Sequence, residues 1–306
     1  MKLIYEGVDI WGDVSVNRIF HDMYAEKHAD TLTIRLNDTR KLWDGWAPKP
    51  DDTIAVEDGA AKSGTMFVEG MTPENGLYVI RATSTPQTMK VKHTKSWEKV
   101  KLTQLAQEIA SRHGLAFSSY GISDQLYQYV TQENLADLAF LQQRCTLEGA
   151  AFLVYDKKIV LYDEAYMEGQ TPSKTLEIPR NGNFEYTDNA AKGYGKATAK
   201  NGGFTGNFDS GNGLTKELVR VLKVQIASQT EADRFAKGIL RDANKDATTG
   251  TFWTSGLLRE YAAGSVADVQ TSGASSWNGP GFISAMRHDY TKKATKVTIR
   301  KPLEGY

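Results

Sequence analysis

The sequence holds one cysteine, Cys145, in 306 residues. No intrachain disulfide can form, and folding in a reducing cytoplasm is the simplest expectation. Charge of one sign is not in excess either: 37 Lys and Arg balance 37 Asp and Glu. Proteins that live on duplex DNA carry a basic surplus, because each phosphate contact needs a cation to release counterions. The balance argues against a dedicated nucleic-acid binder, though not against a channel through which DNA passes. No run approaches the roughly 18 apolar residues of a membrane span, so no membrane anchoring is expected. The start, MKLIYEGVDIWGDV, lacks the basic residues and apolar centre of a secretory signal. If the protein acts outside a cell, it is expected to travel there in an assembly built inside.

What remains is a globular composition, 40% hydrophobic and 24% charged, with length for two or three domains. Up to about residue 95 the pattern is β. Thr31–Leu36 alternates polar and apolar residues, as a half-buried strand does, and 53–57, 64–69 and 77–82 behave alike. Asp58-Gly59 and Pro73-Glu74-Asn75-Gly76 read as turns between them. The middle changes period. Leu102, Leu105, Ala106, Ile109 and Ala110 predict a helix ending near Gly114, and a second is expected over Gln132–Glu148, capped by Thr131. Ala151–Val154 and Ile159–Tyr162 predict a hairpin. In the last third Thr230 is the expected cap of a helix running to Lys245, and residues 191–215 read as a long exposed loop or floppy hairpin. Strands are expected at 266–269, 282–286 and 296–300.

Chemistry is sparse. Cys145 falls on a helical apolar stripe, where packing would bury it far from a base. The five histidines, His21, His28, His93, His113 and His288, include no pair at the spacing of a helical zinc site. Glu133 and Asp137 are expected four apart on one helix face, solvated at its start rather than set across a cleft. The run Gly202–Gly213 lacks the ligand spacing of an EF-hand. Gly193-Tyr194-Gly195-Lys196 resembles a phosphate loop, but Ala190 stands where the first glycine belongs. Lys90, Lys92, His93, Lys95, Lys99 and Lys101 form the densest basic patch, read as a solvated or interface face. Asn37-Asp38-Thr39 matches a glycosylation sequon, which means little in a cytoplasmic protein. No catalytic, cofactor-binding or metal-binding residue is assigned, and the chain is not expected to be an enzyme.

Several blocks match a known pattern in order. Ala29-Asp30-Thr31-Leu32-Thr33-Ile34-Arg35-Leu36-Asn37-Asp38 is followed by Leu42-Trp43-Asp44-Gly45-Trp46-Ala47-Pro48. Then come Ala82–Pro86, Lys95-Ser96-Trp97-Glu98, Ala110–Leu115, the block Tyr129–Leu141 and Glu148-Gly149-Ala150. The last are the helix 231–240, Ala263-Gly264-Ser265, Trp277-Asn278-Gly279 and His288-Asp289-Tyr290. On these the chain resembles the late control protein D family of contractile phage tails, baseplate hubs related to the barrel part of type VI secretion spike proteins.

The resemblance implies a mainly β (α+β) fold. Two tail-tube-like β-barrel domains, 1–95 and 168–306, would carry between them an inserted α/β module, 96–167. It implies a structural baseplate hub, in an infective phage, a tailocin (a headless bacteriocin) or a secretion apparatus, whose homotrimer joins the sixfold tail tube to the threefold central spike. A chain holding two related barrels presents six units in a ring of three. The implied partners are the central spike protein, the tail tube protein, baseplate wedge proteins and the tape measure protein, with DNA only passing through the channel. The implied place is the virion tail baseplate, assembled in the bacterial host cytoplasm and released on lysis. Spike-bearing relatives continue into a β-helix, and the sequence stops at Tyr306, so the needle is expected on another polypeptide. The alternatives are a hydrolase component at the tail tip and a free-standing β-sheet binding module.

Overall fold

The computed structural model describes residues 1–41, 43–172, 174–180, 182–188 and 193–306. The chain is mainly β, 47% strand against 18% helix, spread over several sheets. The first part contains β1 (Lys2–Tyr5), β2 (Val8–Asp9), β3 (Val16–Tyr24) and β4 (Thr31–Asn37). After a short helix α1 (Trp43–Trp46) come β5 (Thr53–Asp58), β6 (Ala61–Lys62), β7 (Met66–Glu74) and β8 (Leu77–Thr83). The alternation read in β4 is the alternation of its burial: Leu32, Ile34 and Leu36 are fully buried while Thr31, Thr33 and Arg35 are not. Each such side chain contributes about 1.5–3 kcal/mol by leaving water.

The middle part runs β9 (Lys92–Lys101), α2 (Leu102–Arg112), β10 (Ala116–Tyr120), β11 (Leu126–Ala136) and α3 (Asp137–Glu148). It closes with β12 (Ala150–Tyr155), β13 (Lys158–Asp163) and α4 (Glu164–Glu168). Helix α2 buries the five predicted positions. The second helix, however, begins at Asp137, not Gln132, and Thr131 caps nothing. Residues 126–136 instead pair with β9 in a ribbon that includes a bulge between Gln132 and Leu135. Leu135 happens to continue the apolar spacing of Leu138 and Leu141, which made strand and helix look continuous. The helix starts where Asp137 accepts hydrogen bonds from Arg112 at 2.9 Å and Gln132 at 2.8 Å and lies 2.7 Å from the His113 ring nitrogen. An anion at one helix start thus meets the Arg112 guanidinium in the last turn of another, and the dipoles favour both.

The last part contains β14 (Thr175–Glu177), β15 (Glu185–Asp188), β16 (Lys196–Asn201), β17 (Phe204–Asp209), β18 (Glu217–Val221) and α5 (Gln229–Asn244). The strands β19 (Thr248–Ser255), β20 (Val266–Gln270), β21 (Gly279–Asp289) and β22 (Ala294–Arg300) follow. The cap of α5 is Ser228, not Thr230. Its hydroxyl accepts from the Glu231 N–H at 3.2 Å, and the Glu231 carboxylate accepts from the Ala227 N–H at 2.6 Å. Ser228-x-x-Glu231 is a capping-box signature that was legible in the sequence.

The segment expected as a long exposed loop or a floppy hairpin holds a hairpin, β16 paired antiparallel with β17. β17, β16 and β18 form a three-stranded sheet, and Ala197 and Ala199 are buried. Glycine explains why the stretch reads as loose. A Cβ on Gly206 would sit 2.0 Å from the Ala232 carbonyl carbon, so this glycine lets β17 lie against the backbone of α5. Gly238 does the same for α5 on α3, where a Cβ would meet the Leu147 oxygen at 2.3 Å. Gly206 and Gly238 serve close approach, not flexibility.

Packing groups the parts differently from chain order. One core joins α2, α3, β12 and β13 to Ala197, Ala199, Leu218, Phe235 and Leu240, so β16–β18 and α5 complete the middle layer. A second core fills the first β region and a third the last. The two β regions meet in one fourteen-stranded sheet, ordered β15-β19-β22-β21-β3-β4-β8-β7-β5-β1-β2 along its main path.

Candidate assembly site

The join between the β regions is the antiparallel pairing of β21 with β3, with His288 opposite His21 and Arg287 opposite Asp22. Charge pairs close it on the outside. Arg287 bonds Asp22 at 2.5 Å and Arg18 bonds Asp289 at 2.9 Å, and both guanidiniums lie over the Phe20 ring. Inside, the rings of His21 and His288 meet edge to face, their centroids 6.4 Å apart. Burial and the neighbouring His288 push His21 down to about 3, and burial pushes His288 down to about 4, so both are neutral at ordinary pH.

Beside the seam, six charged side chains are buried where the first sheet, α4, α5 and β22 meet. Lys245 bonds Glu26, Glu164 at 2.7 Å and Asp242 at 3.0 Å. Arg241 reaches Glu164 at 3.1 Å and Glu168 at 2.6 Å, and Arg300 bonds Glu168. Burial and the charge of Glu164 raise the Glu26 carboxyl to about 7, against the pull of Lys245. Networks of this kind add little to stability over apolar packing, but they punish any arrangement that separates the partners. Each cation here joins different parts of the chain, so the network fixes how the parts sit together. The sequence carried a partial signal: Arg241, in the last turn of α5, and Lys245, just past its end, lie four apart. Their partners on other elements, Glu26, Glu164 and Glu168, carried none.

The ends of the long sheet are exposed. Among the described residues no strand covers the outer side of β15 or β2. All four residues of β15 are exposed, Tyr186 by 54%, and Val8 on β2 by 63%. β18 is likewise an outer strand, with Val219 and Val221 turned to solvent. Unpaired edges with exposed apolar side chains are surfaces on which another strand can dock.

The residues weighed in the sequence scatter over the fold. Cys145 is fully buried on α3, its thiol pushed up by burial. His28 stacks loosely on Tyr24 at the surface, and His93 lies on β9. Glu133 and Asp137 do not share a helix face: Glu133 is exposed in the ribbon, and Asp137 is buried. Burial opposes the Asp137 charge, but hydrogen bonds from Gln132 and His113 with the Arg112 charge hold it below the carboxylate range. Ala190, which begins the phosphate-loop-like run, lies outside the described residues, as do Leu42 and 191–192 of the glycine-rich stretch. Gly195 instead packs on the Leu214 carbonyl. In the basic patch Lys90 pairs with Glu69 and Lys95 with Glu108, while Lys92, Lys99 and Lys101 are exposed. Asn37 bonds Ser15 at 3.0 Å. Among the described residues no group of three His, Cys, Asp or Glu could hold a metal, and no helix is long and apolar enough to cross a membrane.

No family model matches the sequence, and no curated protein does. Solved structures do match in fold. The 43 kDa tail protein of prophage MuSo2 from Shewanella oneidensis aligns over 98% of both chains, with a TM-score of 0.76 at 11% identity. The tail protein from Neisseria meningitidis MC58 aligns over 98% of this chain and 95% of its own, with a TM-score of 0.75 at 11% identity. The Escherichia coli c3393 protein is a component of the type VI secretion system with structural similarity to the T4 bacteriophage tail proteins gp27 and gp5. It aligns over all of this chain and 79% of its own, at a TM-score of 0.61 and 13% identity. With its sheet, seam and middle layer, the chain has the fold of these tail and secretion proteins.

Proposed function

We propose that the chain is a structural component of a phage tail or related contractile injection machine, and within it the baseplate hub. The carrying observation is a fold shared with tail proteins along nearly the full length of both chains. The architecture supports the same reading: two β regions fused by the β3–β21 seam are held in fixed relation by buried ion pairs, as a ring element must be. Three copies would close a ring by docking the exposed edges of the long sheet, β15 and β2, on neighbours. Such a ring presents six β units to a tube and a threefold face to a spike. The partners follow from this role: the spike, the tube, the wedge proteins and the tape measure, with DNA only in transit.

The test is the solution mass by light scattering, alone and with the cognate spike. A ring gives about 102 kDa, three times 33.9 kDa. A monomer under both conditions removes the hub reading.

A further inference from the structure

Where the first β region, the β12–β13 hairpin and the 259–263 segment converge, they border a half-open cleft of about 400 Å3. Its floor is apolar, with Met23, Leu153 and Val160, and Tyr24, Tyr155 and Tyr261 line it from the three directions. Asp30, only 6% exposed, also forms its wall.

The surroundings of Asp30 are incomplete. One carboxyl oxygen accepts the Tyr24 N–H at 2.8 Å. Among the described residues no donor reaches the other oxygen and no cation pairs with it. The residue is pinned, because its N–H donates to the Ser84 hydroxyl at 3.1 Å and its carbonyl accepts the Ser84 N–H at 3.0 Å. Nearby charges are committed elsewhere: Lys62 to Glu57 at 3.3 Å, Arg259 to Asp58 at 3.1 Å, Glu260 to Lys174 at 2.7 Å. Burial therefore pushes the Asp30 carboxyl up to about 7, with the Tyr24 N–H opposing and the charge of Asp22 adding to the rise. A buried carboxylate without a partner is costly. Aromatic faces around it attract the group that would relieve it, a cation with an apolar stem.

We propose that this cleft binds an organic cation of side-chain size, an ammonium or guanidinium group that pairs with Asp30 and lies among Tyr24, Tyr155 and Tyr261. The group comes from a free small molecule or from a Lys or Arg side chain of another chain. Calorimetric titration of the full chain tests this with butylammonium, butylguanidinium and choline, and with 3,3-dimethylbutan-1-ol as the neutral isostere of choline. Saturable binding of at least one cation and none of the alcohol is expected. Asp30→Asn keeps the volume and the acceptor for Tyr24 and should weaken binding at least tenfold. Tyr155→Leu, at a side chain 39% exposed and so safe for folding, should weaken it several-fold. Capped Gly-Lys-Gly and Gly-Arg-Gly separate the sources: binding as tight as the butyl cations identifies a side chain of another chain, and binding of free cations alone identifies a small molecule. Absence of saturable binding by every cation and both peptides, or binding unchanged in both variants, overturns the proposal.

Discussion

Replacing Lys245 by Met tests whether the buried ion network fixes the relation between the parts. The Lys245 side chain is 2% exposed and serves Glu26 from the β3–β4 connection, Glu164 from α4 and Asp242 from the last turn of α5. Methionine fills similar space but leaves Glu26 and Glu164 facing each other without that cation. Removing one partner of a buried pair costs about 3–5 kcal/mol, a large share of the roughly 5–15 kcal/mol that holds a domain folded. The loss should depend on pH in a definite sense. Glu26 already sits at about 7, and without Lys245 it rises further, so at pH 5 it is protonated with or without Lys245 and its share of the loss is small. At pH 8, where the intact network holds Glu26 charged, the variant must either keep that charge without its cation or bind a proton, and the loss is larger. Urea unfolding followed by tryptophan fluorescence at both pH values measures this. Two controls sharpen it. Lys174→Met, which breaks an exposed pair with Glu260, should leave the midpoint unchanged. Glu26→Gln added to Lys245→Met should recover more than half of the loss at pH 8. A Lys245→Met loss that equals the Lys174→Met result, or that is the same at both pH values, refutes the reasoning.

Four more outcomes are expected. The Asp30 carboxyl is raised in the folded chain, so its contribution is full below the ordinary value of 3.8 and fades as pH rises through about 7. Urea midpoints of Asp30→Asn should therefore fall less between pH 5 and 8 than those of the parent, and equal slopes would contradict this. His21 and His288 act oppositely: their folded values of about 3 and 4 lie below 6.5, so their contribution is present above 6.5 and lost as pH falls through that range. Replacing both by Phe should flatten the acid limb of the stability curve, as midpoints from pH 6 down to 3 would record. Gly238→Val drives a branched side chain into the Leu147 carbonyl, which a Cβ alone would meet at 2.3 Å, and should cost at least about 1–3 kcal/mol, measurable as a lowered thermal midpoint. Tyr186→Asp on the exposed edge of β15 should leave the midpoint of the monomer unaltered while lowering the mass of any ring seen by light scattering.

The sequence shows β regions before and after a helical middle because period two and period three-to-four are local properties. β4, β5, β8 and α2 are nearly as read, since each has its buried face written in its own residues. Two readings failed for reasons of context. The start of α3 was blurred because Leu135, in a strand, keeps the spacing of the helix after it. The glycine-rich stretch looked loose because Gly206 makes sense only once the backbone of α5 lies against it. The candidate groups behaved alike: Cys145 was legible as a core thiol from its stripe, whereas Asp30 reads in the sequence as one polar residue before a strand.

Alternation and helical stripes, together with the balance of charge, were determined by the sequence alone, and with them the mainly β class and the outline of β, α/β and β with a helix. The tertiary structure alone decided that β21 pairs with β3, that α5 completes the middle core and that six charges gather out of water. These are pairings between residues far apart in the chain. Local pattern says which face of an element is apolar, but not which other face it will meet.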